Sequence, residues 1–424
     1  MHRMAGLDPP RDVLAVVQRV RELGATTRAD LGRSLGLGRG VVNQRLGVLR
    51  DLGLVEEGDI RSSSGGRAPR ELRFRGVAGY VLVADLDASA FAAGVSDLTG
   101  RLVATDEVCS DIADGPALVL DRVADAWERL CRSTGIPLDQ VWGIGLGVPG
   151  PVEFATGRPI APPIMPGWDA YDVREHLGAR FSVPVWVDNE VNLEALGEAR
   201  AGSGAGVTDM VFVKLGVGIG AGVISGSRLH RGAQGAAGDI GHVAVLDDDH
   251  ELCRCGNTGC LEVVAGGAAL IRRVHERGAG PTGEAGPRLG SLVAAGQPLA
   301  IADITSAGAQ GDPLALDLLT QSARLVGGAL ATLVNFFNPS LLVVGGDLVQ
   351  GSDLVLSTIR ESVYGRSLPL ATRNLVIGRS GLGLTAGLVG AAAMTVDELL
   401  ADRRFHAWAP HRSPHGHPEI ASIP

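Results

Sequence analysis

The chain has little of what a secreted, membrane-bound or disulfide-built protein needs. Five cysteines in 424 residues are too few for a disulfide framework. Two of them, Cys109 and Cys131, stand alone in periodic apolar segments, where a thiol serves as a small buried side chain. No apolar run approaches the roughly 20 residues that cross a bilayer. The opening "MHRMAGLDPP" also lacks a charged-then-apolar signal. These absences point to a soluble, cytoplasmic protein. Aromatic residues are scarce at 4%, yet apolar residues reach 45%, ample for a sizeable interior. A chain of 424 residues exceeds one ordinary core, so two or three domains are expected.

Positive charge is lacking overall, and a net of −9 would exclude a nucleic-acid binder if it were spread evenly. It is not. Residues 1–76 hold 14 arginines against 9 Asp and Glu, a net of +5, which leaves −14 on the remainder. A small basic module joined to an acidic body is the asymmetry expected when one part meets phosphates.

Within residues 1–76, Val13, Val16, Val17 and Val20 recur at helical spacing and Gly24 ends that helix. Thr27 with Asp30 three residues later forms a capping-box pattern that opens a short second helix carrying Leu31 and Leu35. After "GLGRG", Val42, Leu46 and Leu49 mark a third helix. Its other face offers Arg39, Asn43, Gln44 and Arg45, side chains suited to base edges in a major groove. Gly38 supplies no side-chain cap to that helix. "LVEEGDI" and "RELRFR" are short strands around "RSSSGGRAP", whose Arg61, Arg67 and Arg70 suit phosphates or a minor groove. The sum is a winged helix-turn-helix and predicts operator DNA as a partner, against a three-helix protein-interaction module.

The body, from about Tyr80, alternates apolar strands with helices and places glycine-rich loops at strand ends. "YVLVADLDASAFAAGVSDLTGRLV" is three strands with turns, "GPALVLDRVADAWERLCRSTG" a helix, and "VWGIGLGVPGPVE" a strand entering a Gly/Pro loop. "DMVFVKLGVGIGAGVISGSRLHRG" repeats the strand, loop, strand theme. Two similar halves of this kind predict an α/β, actin-like fold of two lobes around a cleft. Between the later strands, His242, Cys253, Cys255 and Cys260 give H-x10-C-x-C-x4-C. Three thiolates and an imidazole suit a tetrahedral Zn²⁺ with no open position, a structural clip and not a catalytic metal. Gly256 and Gly259 let the chain turn tightly enough for the sulfurs to converge.

Five stretches in this order, "GIGLGVPGPVE", "VPVWVDNEVNLEALGEA", "LGVGIGAGVISGSRLHRGAQGAAGDIGH", "CRCGNTGCLEVVAGG" and "LVNFFNPSLLVVGG", resemble the ROK family of repressors, open reading frames and kinases. The resemblance runs from residue 11 to about 400, winged helix included. It implies one lobe from residues 80–190 plus about 385–400 and a second from 191–384 with the zinc motif, while the proline-rich composition of 401–424 predicts a disordered tail. The four histidines among the prolines of that tail are not taken as a metal site. The family's zinc site carries over onto His242, Cys253, Cys255 and Cys260. The resemblance further implies that His242 offers its other ring nitrogen to a sugar hydroxyl. Asn189, Glu190, Asp239 and Glu262 join it in an acceptor-rich ring.

Departures from the kinase branch matter. Where family kinases have Asp-x-Gly-Gly-Thr, this chain has Asp85-Leu86-Asp87-Ala88-Ser89. Where they have Gly-Thr-Gly, it has Gly216-Val217-Gly218, and Glu190 stands at the usual catalytic Asp. A displacement of about an ångström costs on the order of a hundredfold in rate. The expectation is a non-catalytic, sugar-responsive regulator, a repressor, spanning two operator half-sites as a homodimer or homotetramer. An ATP-dependent sugar kinase is the alternative; an architectural module would show neither operator specificity nor ligand response.

Overall fold

The computed structural model describes residues 12–60, 70–246, 251–278 and 284–423. Helices α1 (Asp12–Leu23), α2 (Arg28–Leu35) and α3 (Arg39–Asp51) bury Val13, Val16, Val17 and Val20 against Leu31, Val42, Leu46 and Leu49. Strand β1 (Ala25–Thr26) precedes α2, and β2 (Val55–Ile60) and β3 (Arg70–Phe74) complete a three-stranded sheet ordered β1-β3-β2. Thr27 caps α2 by accepting from the Asp30 amide at 3.2 Å, whereas Gly38 leaves α3 without a side-chain cap. This is a winged helix-turn-helix.

One side chain expected on the outer face of α3 lies elsewhere. Arg45 Nε sits 2.6 Å from Asp12 Oδ1, with the side chain 14% exposed. One residue before Leu46, it borders the apolar stripe, so it folds over the edge onto α1 and pairs there. Arg39, Asn43 and Gln44 remain exposed. Arg61 and Arg67 lie outside the described residues.

The first lobe contains β4 (Tyr80–Leu86), β5 (Ala90–Asp97), β6 (Leu102–Cys109), α4 (Pro116–Thr134) and β7 (Val141–Val148). A small ribbon, β8 (Val152–Glu153) with β9 (Arg158–Pro159), leads to α5 (Val173–Phe181), β10 (Val185–Asn189) and α6 (Glu190–Ala201). The second contains β11 (Met210–Leu215), β12 (Ile219–Ser225), β13 (Arg228–Leu229), α7 (Leu261–Ala265), α8 (Gly267–Gly278), α9 (Pro287–Ala294), α10 (Ile301–Ala309) and α11 (Pro313–Phe337). It continues through β14 (Leu341–Gly345), α12 (Asp347–Gln350), α13 (Asp353–Arg366), α14 (Pro369–Thr372) and β15 (Val376–Arg379). Helices α15 (Ala386–Leu399) and α16 (Asp402–Trp408) follow.

The two five-stranded sheets share one plan: β10-β7-β4-β5-β6 and β13-β12-β11-β14-β15. In each, the first strand of the lobe is central, an antiparallel meander extends to one side, and parallel strands extend to the other. The parallel strands β7, β10 and β14 are buried almost throughout and therefore lack polar alternation. This repeated sheet is the actin-like, two-lobed architecture. The ends of β10, β11 and the β4–β5 turn converge on the cleft between the lobes.

The C-terminal segment is not a disordered tail. After α16, short turns cover Ala409–His411 and Pro418–Ser422. Phe405, Trp408 and Ile420 are buried. Trp408 donates its indole N–H to the Leu399 carbonyl at 2.8 Å and packs on Trp142 with ring centroids 5.2 Å apart. Two aromatic rings and an isoleucine supply the apolar area that the surrounding histidines and prolines do not. These residues share one continuous apolar cluster with α15 and the core of the winged helix. Among the described residues, no single helix is long and apolar enough to cross a membrane.

Candidate functional site

The interlobe cleft encloses about 350 Å³, within the range of small-molecule pockets. Asn189, Glu190, Asp239, His242 and Glu262 all line it. Asn189 ends β10 and caps α6, its Oδ1 accepting from the Val191 amide at 2.9 Å while Nδ2 donates to the Gly150 carbonyl at 3.0 Å. That leaves one amide hydrogen for a ligand. Glu262 opens α7, and its Oε2 accepts from the Ile219 amide at 3.1 Å, which ties the carboxylate to the β11–β12 loop. Asp239 is exposed and precedes the turn Ile240–His242. Its Oδ1 is 3.9 Å from His242 Nε2, too far for a hydrogen bond.

A heavily engaged residue of the cleft stands outside the expected ring. Lys214, on β11, lies 2.9 Å from Asp87 Oδ2, 2.9 Å from Glu190 Oε2 and 3.6 Å from Glu194 Oε1. It is also the single lysine of the sequence, every other basic side chain being arginine or histidine. A compact ammonium with three rotatable donors suits the meeting of three carboxylates at one point. A lone lysine inside "VFVKLG", otherwise a buried apolar strand, was the available signal.

Asp85, at the bottom of the same group, has a buried Oδ1 with no hydrogen-bond partner. Burial, with Glu194 beside it, pushes its carboxyl well above the carboxylate range, and an unpartnered oxygen suits that neutral form. Burial likewise raises Glu194, and it pushes Glu190 up to about 8. For Asp87 burial works the same way, but the Lys214 ammonium outweighs it and keeps the group ionised. Burial opposes the charge on Lys214 in turn, and the surrounding carboxylates hold it well above its ordinary range.

At the cleft rim, one ligand atom from each of His242, Cys253, Cys255 and Cys260 lies within 4.8 Å of the others, a group able to hold a metal ion. Cys253 Sγ is 3.5 Å from His242 Nδ1, and Cys255 Sγ is 3.7 Å from Cys260 Sγ. Nδ1 therefore faces the sulfurs and Nε2 faces away from them. Gly259 has φ +68°, and a Cβ there would stand 2.0 Å from the Leu246 carbonyl oxygen, so only glycine permits this turn. Burial pushes the Cys260 thiol up to about 12; a thiolate there calls for a cation beside it.

The sequence model of the ROK family matches residues 84–398. A putative xylose repressor from Caldicellulosiruptor sp. (strain Rt8B.4) is 27% identical over 399 residues, covering 92% of this chain and 96% of that protein. A glucokinase from Streptomyces coelicolor is 35% identical over 321 residues, covering 74% of this chain and 96% of that enzyme. Among solved structures, a ROK family transcriptional regulator, a homologue of the Escherichia coli MLC protein, superimposes with a TM-score of 0.78 at 25% identity. The match covers 95% of this chain and 100% of the other.

Proposed function

The chain belongs to the ROK family, and on that premise we propose that it is a cytoplasmic, sugar-responsive repressor that binds operator DNA as a dimer or higher oligomer. The observation that carries this reading is extent. The relationship to a putative xylose repressor and to a solved ROK regulator spans the winged helix as well as the body. The glucokinase relationship covers only 74% of the chain.

DNA recognition falls to α3, whose exposed Arg39, Asn43 and Gln44 would face base edges, with Arg67 of the wing on the backbone. The sugar would lie among Asn189, Glu190, Asp239, His242 and Glu262, offering its hydroxyls to their acceptors. Zn²⁺ fits the four-residue group. Ideal tetrahedral Zn–S and Zn–N bonds place two sulfurs about 3.8 Å apart and a sulfur about 3.6 Å from a nitrogen, close to the 3.7 and 3.5 Å found. The ion would fix the His242 ring through Nδ1 and leave Nε2 for a sugar hydroxyl.

The cleft also supports a non-catalytic body. Asp87 stands where family kinases have a glycine of the phosphate loop. It is bridged to Lys214, and through Lys214 to Glu190. Incoming phosphates would meet Asp87, Glu190 and Glu194 instead of free backbone amides, and the carboxylate at the base position is already held by an ammonium. A sugar kinase remains the second reading because of the 35% identical glucokinase.

Selection of genomic fragments by the purified protein, with and without D-xylose or D-glucose, tests the first reading. Enrichment of discrete fragments, altered by one sugar, is expected; no enrichment over competitor DNA at moderate salt would sink it. ATP-dependent phosphorylation of either sugar at around 10 s⁻¹, an ordinary enzymatic rate, would establish the second.

A further inference from the structure

Helix α6 starts in the cleft, and its last turn pairs with a carboxylate that also pairs with the winged helix. Its N-cap is Asn189 and its first residue is Glu190, so a ligand that draws in the backbone at those two positions also shifts the start of the helix. Twelve residues at 1.5 Å each carry it about 18 Å. Along the way it crosses α15 with no room between the backbones. A Cβ on Gly197 would stand 2.0 Å from the Ala386 carbonyl oxygen, and one on Gly390 would stand 1.8 Å from that of Leu193. The same helix α15 packs against the buried carboxylate group behind the cleft, since a Cβ on Gly387 would stand 1.9 Å from Asp85 Oδ2. Two helices packed this closely move as one body.

Their far ends meet at one carboxylate. Asp397, on the last turn of α15, accepts from Arg200 on the last turn of α6 and from Arg21 of α1 at 2.6 Å. Three residues on, the Leu400 carbonyl accepts from Gln18 Nε2 of the same α1 at 3.2 Å. One side chain thus joins the helix that begins at the sugar ring to the helix on which the recognition helix packs.

We propose that Asp397 is the positioning residue through which the cleft controls the winged helix. A shift of the α6–α15 pair on ligand binding is passed by the Arg200–Asp397–Arg21 bridge to α1, and from there to α3. This inference rests on the sugar-sensing reading above. Its content is the route, which the mere presence of a sugar response leaves open.

The test uses the full-length zinc-loaded protein, an operator fragment taken from the genomic selection, and D-xylose and D-glucose as probes. Operator affinity is measured with and without saturating sugar, and sugar affinity by calorimetry. In the wild type one sugar should change operator affinity at least tenfold. In Asp397→Asn, sugar affinity and sugar-free operator affinity should stay within about threefold of wild type, while the change caused by sugar falls below threefold. Arg21→Gln cuts only the α1 leg and leaves the Arg200 contact intact. It should lose the response in the same way, and it decides the matter if Asp397→Asn does not fold. Combined with Asp397→Asn, it should add nothing further. A folded variant that keeps the full tenfold response overturns the route. A wild type whose operator affinity neither sugar moves overturns the sensing reading, and the route falls with it.

Discussion

Glu190 stands under two opposed demands, because burial favours its neutral form and Lys214, 2.9 Å away, favours the carboxylate. Its group is pushed from an ordinary value near 4.5 up to about 8. Between those values the folded protein holds a proton that the unfolded chain has released. Folding stability attributable to this group is therefore fully present below about pH 4.5 and is lost as pH rises toward 8. The raised Asp85 and Glu194 act in the same sense. The melting temperature should fall across that window, and Glu190→Gln, which cannot titrate, should flatten the profile. Parallel melting curves for the two proteins would place the proton elsewhere. This group was hard to read in advance for a simple reason. Residues 85, 87, 190, 194 and 214 are spread over more than a hundred positions, and only the convergence of two sheets brings them together. Asp87 stands out in the sequence as an intrusion into a phosphate loop, but its partner Lys214 does not. Arg45 leaves its expected face because a helical stripe fixes which residues are buried, not how a long side chain at its edge folds.

Elements stiffened by local chemistry were the most legible. The zinc-type quartet needed only spacing and two glycines, since His242, Cys253, Cys255 and Cys260 lie within nineteen residues of one another. The described part of this segment has no regular strand, only the isolated bridges Ala244–Cys260 and Leu252–Thr258 and one short turn. The metal would be the chief tie on the His242 side chain, whereas Glu262 is also held by α7 and by the Ile219 amide. Removal of the ion by a strong chelator should therefore speed amide exchange at residues 243–246 and 251–261. It should also weaken sugar binding, by on the order of tenfold, the scale of the losses when the groups around a metal site are disturbed. Operator binding without sugar should persist, because the winged helix has its own core of valines and leucines. Unchanged exchange after quantitative loss of metal would mean that backbone contacts alone fix the loop. The C-terminal segment shows the converse. Its polar composition carried no helical stripe long enough to detect, and the worth of Phe405 and Trp408 depends on Trp142 and α15, which lie elsewhere in the chain.

At the scale of the whole molecule, that segment closes the seam between body and DNA-binding module. Trp408 and Phe405 are fully buried. The Trp408 N–H bonds the end of α15, and the Gly416 amide reaches back to the Ser182 carbonyl at 2.7 Å, just beyond α5. The winged helix meets the body next to this cluster, through Gln18 and Arg21 of α1. Loss of a buried aromatic of this size costs about 3–5 kcal/mol, against a total stability of roughly 5–15 kcal/mol for a domain. Trp408→Ala should therefore remove about 3–5 kcal/mol in urea unfolding. Deletion of residues 402–424 should leave a protein that does not fold or melts far below the wild type. A dispensable tail would instead leave the melting temperature unchanged on deletion. If Trp408→Ala folds, the damage should be unequal. The 242–262 loop lies on the other lobe and should survive, and sugar affinity should hold because none of the five cleft residues touches Trp408, whereas the sugar-dependent change in operator affinity should shrink because the seat of Asp397 has loosened. Equal loss of both would show that the segment supports the body at large and not its junction with the winged helix.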